Sequence, residues 1–239
     1  MTRSMQLLYA LATTGLLATT SAAAVLVVRS TGPSAATYPA GKALGDAQTL
    51  QLKSNDMIML LDSRGTRTLR GPGSFSTSAA TSGGATSALS AVAGQVGTRR
   101  ARVQAVRGGP SGATAGRNVW QADVSRSGAL CVANPADLGL YRGAATSEID
   151  VTLTDSASGK SGVVHFDIGQ SVARWPAELE VAAGSTIKAK GAGSPATLTV
   201  RMLSPVPSGL EGMAQSFIRN DCTAQLDVLI DIFSGSTEG

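Results

Sequence analysis

The sequence predicts a mainly β fold: a small β meander, then an immunoglobulin-like β-sandwich, with a linker helix between them and two C-terminal helices. Two observations lead to this class. Short runs of alternating apolar and polar residues recur over residues 118–207, separated by turn-forming residues, which is typical of an antiparallel sandwich. After residue 208 the apolar residues change to helical spacing, which indicates a helical end.

The N-terminal residues 1–24 have the order of a secretory signal peptide. Arg3 precedes an uncharged run that ends in the small-residue stretch SAAA, and a basic start, an apolar run and an A-x-A site predict export. Cleavage after Ala24 would leave Val25 at the N-terminus. Because apolar VLVV follows, a retained inner-membrane anchor that reaches Val28 is the alternative. Either form predicts a periplasmic location for the rest of the chain.

The charge of the chain argues against nucleic acid as a partner. Lys and Arg number 20 against 16 Asp and Glu, a formal net charge of +4. A nucleic-acid-binding protein concentrates basic residues on one surface, and this excess is small. The sequence therefore predicts no nucleic-acid partner, and membrane contact only if the N-terminal segment is retained.

The small β meander is expected over residues 38–76. The runs TLQLK, MIMLLD and TRTLRG are predicted strands, and the polar stretches SND and SRG connect them. Three short strands are few for an independent domain. The meander is therefore too short to form a stable domain alone.

The stretch LRGPGSF, which follows these strands, is the candidate contact loop. Pro72 fixes φ and lacks an N–H, while Gly71 and Gly73 supply backbone freedom, so the stretch predicts a sharp corner. The alternative is a loop that also contacts a peptide or a glycan, with Arg70 and Phe75 as its side chains.

Residues 77–117 are predicted to form a linker rich in Ser, Ala and Gly. Ala85, Leu89, Val92 and Val96 recur at spacings of four, three and four, which allows one helix. The basic stretch TRRARVQAVRGG follows. Its arginines and valines do not separate onto two faces, so a solvated helix end is favoured over binding to an anionic surface.

The β-sandwich is predicted over residues 118–207 and the two helices over residues 208–233. In EIDVTLTD, the apolar residues share one strand face and the polar residues the other. Asn220 and Asp221 are expected to cap the junction between the helices, which would cover an open face or edge of the sheet. The large core residues are expected to be Trp120, Tyr141, Phe166 and Trp175.

Cys131 and Cys222 are predicted to form a disulfide between a sandwich strand and the first turn of the last helix. An even pair of cysteines in an oxidising compartment most often means one disulfide. Neither cysteine lies in a C-x-x-C motif, the spacing of zinc and thioredoxin-type sites. Two free thiols are the alternative.

No group of residues in the sequence indicates a reaction. His165 is the only histidine, and alternation places it on the solvent face of a strand, without a G-x-S-x-G motif or an evident partner. Asp150, Asp155 and Asp167 are predicted to be exposed carboxylates at strand ends, and they lack the spacing of a calcium loop. The sequence predicts a non-enzymatic protein with no catalytic residue, no cofactor and no metal.

Residues 38–76 also carry a family resemblance. AGKAL followed by LQLKSNDMIMLLDSRGTRTLRGPGSF resembles the β-repeat unit of FecR-like periplasmic domains. WQADVSRSGALCV and DCTAQLDVLI are similar to parts of uncharacterised bacterial envelope proteins. FecR-like regulators have a cytoplasmic anti-sigma segment before their membrane helix, whereas only MTRS precedes the apolar run here. The resemblance implies a periplasmic sensing or docking module that does not itself hold a sigma factor.

The sequence as a whole predicts an adaptor or sensor that acts through contacts with an unknown envelope protein. Such a module would bind by adding a partner's strand to an open sheet edge, or through the loops at one end of the sandwich. A carbohydrate-binding module is one alternative, and aromatic residues on an exposed strand face would favour it. An envelope-polymer hydrolase is the other, and a buried polar cluster around His165 would favour it.

Overall fold

The computed structural model describes residues 25–63, 65–78 and 117–234. The predicted signal peptide and the helix expected in the linker lie outside the described residues. Within them the chain forms four β-sheets and two C-terminal helices. The predicted mainly β class with helices at its end is therefore confirmed.

The first β unit consists of the strands β1 (Val25–Thr31), β2 (Ala43–Leu44), β3 (Thr49–Leu52), β4 (Met57–Asp62), β5 (Gly65–Arg70) and β6 (Gly73–Ser76). Four of them form an antiparallel sheet in the order β2-β1-β4-β5, and β3 pairs with β6. The two sheets enclose an apolar cluster that contains Leu50, Ile58 and Leu60.

The strand β1 lies in the middle of this unit, before the predicted start of the meander at residue 38. Val25, Leu26, Val27 and Val28 are each at most 1 % exposed, and their side chains alternate between the two faces of the sheet. The alternative of a membrane anchor that extends to Val28 is therefore wrong, because residues 25–28 form a buried strand. A fully buried strand and the end of an apolar helix have the same composition. The sequence therefore did not distinguish β1 from the end of the N-terminal apolar run.

The second unit is a two-layer β-sandwich. Its strands are β7 (Gln121–Asp123), β8 (Gly128–Val132), β9 (Gly139–Tyr141), β10 (Ile149–Asp155), β11 (Ser161–Phe166), β12 (Val172–Arg174), β13 (Thr186–Gly191) and β14 (Gly193–Met202). One sheet has the order β11-β10-β13-β14-β8 and the other β12-β9-β7. Two neighbouring pairs, β14 with β8 and β7 with β9, are parallel. The antiparallel prediction missed them because alternation is the same for both strand directions.

The expected aromatic residues take different depths in the structure. Phe166 is fully buried in the sandwich core, and Trp175 packs against it while partly exposed. Trp120 meets the ring of Phe217 edge-on, with 6.0 Å between the ring centroids. Tyr141 is half-buried. The core is otherwise built from aliphatic side chains.

Helices α1 (Gly209–Arg219) and α2 (Thr223–Ser234) form a layer that contacts both β units. Phe217 and Phe233 belong to one apolar cluster with Leu26 of β1 and Cys131 of β8. Asp227 on α2 also accepts hydrogen bonds from two arginines, Arg29 on β1 and Arg126 before β8. The helices therefore join the two β units, in addition to covering the sandwich.

The junction between the helices differs slightly from its prediction. Asp221 has a left-handed φ of 57°, and its N–H donates to the Ile218 carbonyl at 3.2 Å while the Cys222 N–H donates to the Phe217 carbonyl at 2.9 Å. This pattern is a Schellman motif that ends α1. The Cys222 carbonyl accepts the first hydrogen bond of α2, from Leu226 N–H at 3.0 Å. Cys222 thus caps α2 and lies just before its first turn.

Candidate functional site

Strand β8 forms one edge of the five-stranded sheet, and α2 closes this edge. The predicted disulfide joins Cys131 on β8 to Cys222, and both residues are fully buried. Gln225 on α2 accepts from the Cys131 N–H at 2.6 Å and donates to the Cys131 and Val119 carbonyls at 2.8 and 2.7 Å. An amide side chain thus supplies the donor and acceptor that a neighbouring strand would otherwise provide.

The disulfide also bears on the compartment of the protein. Disulfides persist in oxidising environments and are rare where thiols are kept reduced, so this one is typical of a protein in a non-reducing, exported environment. In the part of the chain that the structure describes, no helix is long and apolar enough to cross a bilayer.

Strand β11 forms the opposite edge of the same sheet, and among the described strands only β10 bonds to it. The turn before it is closed by a hydrogen bond from Asp155 N–H to the Lys160 carbonyl at 2.9 Å. Because hydrogen-bonded pairs alternate along an antiparallel ladder, the even-numbered residues of β11 bond to β10. The backbone N–H and C=O groups of the odd-numbered residues point away from β10, and no described residue bonds them. These residues are Ser161, Val163 and His165.

Asp155 fixes the turn before β11, and it is buried rather than exposed as predicted. Its carboxylate accepts hydrogen bonds from the Ser158 N–H at 2.7 Å, the Ser158 hydroxyl at 2.8 Å and the Ala157 N–H at 3.1 Å. The bonds from Ser158 are the main reason that the pKa of Asp155 is lowered, and they outweigh the opposing effect of burial. The ionised carboxylate therefore holds the start of β11.

His165 lies on the open face of β11, as predicted, but it has carboxylate partners. Asp150 stands directly opposite on β10 with its Oδ1 2.7 Å from His165 Nδ1, and Asp167 Oδ1 lies 3.4 Å from Nε2. The hydrogen bond with Asp150 is the main cause that raises the pKa of His165, and the charges of nearby carboxylates add to it against partial burial. The expectation that His165 lacks a partner is wrong, because strand pairing across the hairpin brings Asp150 beside it.

Two exposed apolar side chains accompany this edge. Val163 is 63 % exposed on the same face of β11 as His165, and Ile168 is 71 % exposed in the loop that follows the strand. The rest of the open sheet face is polar, and its outward residues on β10, β11, β13 and β14 include no aromatic side chain. Lys188, Lys190 and Arg201 lie on this face.

Arg142 fixes the loops at this end of the sandwich. It is 1 % exposed, and its guanidinium donates to the carbonyls of Ser147, Asp167 and Gln170 at 2.6, 2.7 and 2.7 Å. A buried charge requires such partners. Arg142 was not among the predicted core residues. It lies two residues after buried Leu140, however, and residues two apart on an extended chain share one face. The loop that carries Asp167 is therefore held from inside.

The predicted contact loop is a corner between β5 and β6. Arg70 is exposed at the end of β5, and the Gly71-Pro72 peptide bond is cis. Gly73 begins β6, and Phe75 is half-buried against the core of the first unit. Arg70 is therefore the side chain of this loop that is most available to a partner, while Phe75 has a structural role.

A neighbouring turn determines the shape of this corner. The Gly71 N–H donates to the Asp56 carbonyl at 3.0 Å, and a Cβ on Gly71 would lie 2.0 Å from the carbonyl oxygen of Lys53. The Asp56 side chain accepts from the N–H groups of Ser34 and Lys53. Burial raises the pKa of Asp56, but these hydrogen bonds outweigh it and lower the pKa below its usual range. Only glycine fits at position 71.

Strand β5 forms one edge of the four-stranded sheet, and the end of α2 approaches it where the Ser234 hydroxyl lies 2.6 Å from the Thr66 hydroxyl. Asp62 and Gly65 are paired across the hairpin, and the hydrogen bond from Gly71 N–H to the Asp56 carbonyl continues the same ladder, so the odd-numbered residues of β5 bond to β4. By alternation, the backbone groups of Thr66, Thr68 and Arg70 point away from β4. No described residue bonds to them.

Comparisons with protein-family models, curated proteins and solved structures find no match to this chain. The resemblance of residues 38–76 to FecR-like domains therefore stays a prediction.

Proposed function

We propose that this protein is a non-enzymatic adaptor or sensor of the bacterial cell envelope that binds an extended segment of another envelope protein. The observation that carries the proposal is the open edge of β5, where Thr66, Thr68 and Arg70 present backbone groups without a described partner. A strand added there would extend the four-stranded sheet, a mode used by many peptide-binding domains. The disulfide supports export, and the FecR-like resemblance points to the same class.

The side chains at the end of β5 indicate what such a segment would carry. Met57 stands opposite Arg70 across the hairpin, and both are exposed, Met57 by 38 %. An apolar side chain next to a cation fits a partner segment with one apolar and one acidic residue. The corner at Gly71 holds Arg70 in this position.

The alternatives from other classes have less support. The outward face of the five-stranded sheet, as described, carries no aromatic side chain of the kind on which sugar rings stack. His165 is exposed and lies between two carboxylates instead of inside a buried polar cluster. The aromatic strand face that would favour a carbohydrate-binding module is therefore not found on this sheet. The buried polar cluster that would favour a hydrolase is not found around His165.

Site-specific cross-linking in intact envelopes tests the proposal. A photo-reactive residue is placed at Thr68 on the β5 edge. The same residue at Val206 serves as the control, because Val206 is 58 % exposed and does not lie on β5. We expect one dominant cross-linked envelope protein from position 68, absent from position 206 and reduced by Arg70→Glu. A folded protein that gives the same products from both positions, or none from position 68, contradicts the proposal.

A further inference from the structure

We propose that the open edge of β11 pairs with the same edge of a second copy of this chain, so that one antiparallel sheet continues through a twofold dimer. This inference goes beyond the proposed function, because it concerns another edge and another partner. Three features of β11 support it: its unpaired backbone groups, the charges at its two ends and its exposed valine.

The unpaired backbone groups have the spacing that self-pairing requires. A twofold axis beside Val163 places Val163 opposite Val163 of the second copy, and Ser161 opposite His165 of the second copy. All three residues direct their N–H and C=O groups away from β10. Antiparallel ladders bond every second residue pair, so each of these pairs can exchange two hydrogen bonds. No hydrogen bond between β10 and β11 has to break.

The charges at the ends of β11 select an antiparallel second copy. Lys160 precedes the strand and Asp167 follows it, and both are exposed. Antiparallel pairing brings Lys160 of each copy to the same end of the paired strands as Asp167 of the other, one position out of direct register, so the symmetry forms this approach of opposite charges twice. Glu148 and Asp150 add negative charge near Asp167. Parallel pairing would place like charges together, which is destabilising between strands.

The exposed valine lies where the two copies would meet. Val163 is 63 % exposed, and at the twofold axis the two valines form a cross-strand pair that removes both from water. Proteins usually protect an open edge with a lysine, a proline or a bulge. The outward residues of β11, Ser161, Val163 and His165, include no lysine or proline, and its ladder with β10 has no bulge.

Analytical ultracentrifugation of the purified, disulfide-bonded protein over a range of concentrations tests this dimer. Val163→Lys places two cations side by side at the axis, and Val206→Lys is the matched control because Val206 is 58 % exposed. We expect the wild-type chain and the control to dimerise, and Val163→Lys to weaken dimerisation at least about tenfold, equivalent to about 1.4 kcal/mol. Val163→Pro, which removes an N–H that β10 does not use, should act in the same direction.

Charge reversal tests the register of the pairing. Lys160→Glu and Asp167→Lys should each weaken the dimer about two- to thirtyfold, because each contact occurs twice, and the double variant should restore it. A wild-type chain that stays monomeric, equal effects of Val163→Lys and Val206→Lys, or a double variant no tighter than the single variants would each overturn the inference. The cross-link at position 68 reports on the other edge, so either proposal can fail alone.

Discussion

The two edges of the five-stranded sheet differ in how their backbone groups are bonded. At β8, Gln225 bonds both backbone groups of Cys131, and the disulfide fastens α2 to the same residue. At β11, Ser161 and Val163 keep their outward groups free of any described partner. The chain thus closes one edge with its own helix and leaves the other for a strand from elsewhere.

Burial explains why the β8 edge has to be closed. Cys131 is fully buried, and a buried N–H or C=O without a partner costs about 1–3 kcal/mol. Val163 is 63 % exposed, so water can satisfy its outward groups until another strand arrives. The same backbone chemistry is therefore a structural requirement at one edge and a binding surface at the other.

The largest effect is expected when the covalent tie at the closed edge is removed. Cys131→Ala combined with Cys222→Ala should lower the free energy of unfolding by up to about 4.6 kcal/mol, because the disulfide spans 91 residues and restricts the unfolded chain. Urea unfolding of the variant and of the oxidised wild type measures the difference. Thiol counting on the denatured, unreduced wild type is the control. Two free thiols there, or a loss below about 1 kcal/mol, would contradict the prediction.

A smaller but still large effect is expected from Gln225→Leu. The substitution leaves the Cys131 N–H, the Cys131 carbonyl and the Val119 carbonyl without this partner, which should cost about 3 kcal/mol or more. Gln215→Leu on α1 is the matched control, because Gln215 is only half-buried and bonds to Glu211, so its loss should stay within about 0.5 kcal/mol. Equal losses for the two variants in denaturant unfolding would show that Gln225 does not close the edge.

The smallest effect belongs to the open edge and depends on pH. Because Asp150 raises the pKa of His165 on folding, the contribution of this pair to stability is complete below about pH 6.5, the usual pKa of histidine, and is lost as the pH rises through the folded pKa. His165→Ala should cost little, since the side chain is 55 % exposed and solvent screens the pair.

Nuclear magnetic resonance measures this pKa directly, because the chain has a single histidine. The titration midpoint should lie above about 6.5, and Asp150→Asn should move it down. A midpoint at or below the usual value in the wild type would mean that Asp150 does not hold the ring in solution.

Local sequence patterns predicted the elements that depend on local periodicity. Alternation in EIDVTLTD predicted β10, and Val151 and Leu153 are indeed buried. Helical spacing predicted α1 and α2, and Phe217 and Phe233 lie in their core. The cysteine count predicted the disulfide. Each of these inferences needs only near neighbours or a pair of residues.

The parts that the sequence did not predict depend on long-range pairing. The parallel register of β8 with β14 joins residues about 70 positions apart, as with Leu198 and Gly128, and no local pattern encodes it. The role of Gln225 follows from that kind of contact, whereas the partner of His165 follows from the register of the β10–β11 hairpin. The open edges, on which both functional proposals rest, can likewise be identified only when the pairing of every described strand is known.

The helix layer also determines the order in which the protein can fold. Leu26 on β1 is covered by side chains from α1 and α2, which follow it by most of the chain. During synthesis or export from the N-terminus, this strand emerges early but finds its cover late. Contacts of such long sequence separation slow folding, and the unfinished chain keeps the Leu26 and Val28 face of β1 exposed. A holding chaperone would therefore be needed mainly in the interval before α1 and α2 emerge.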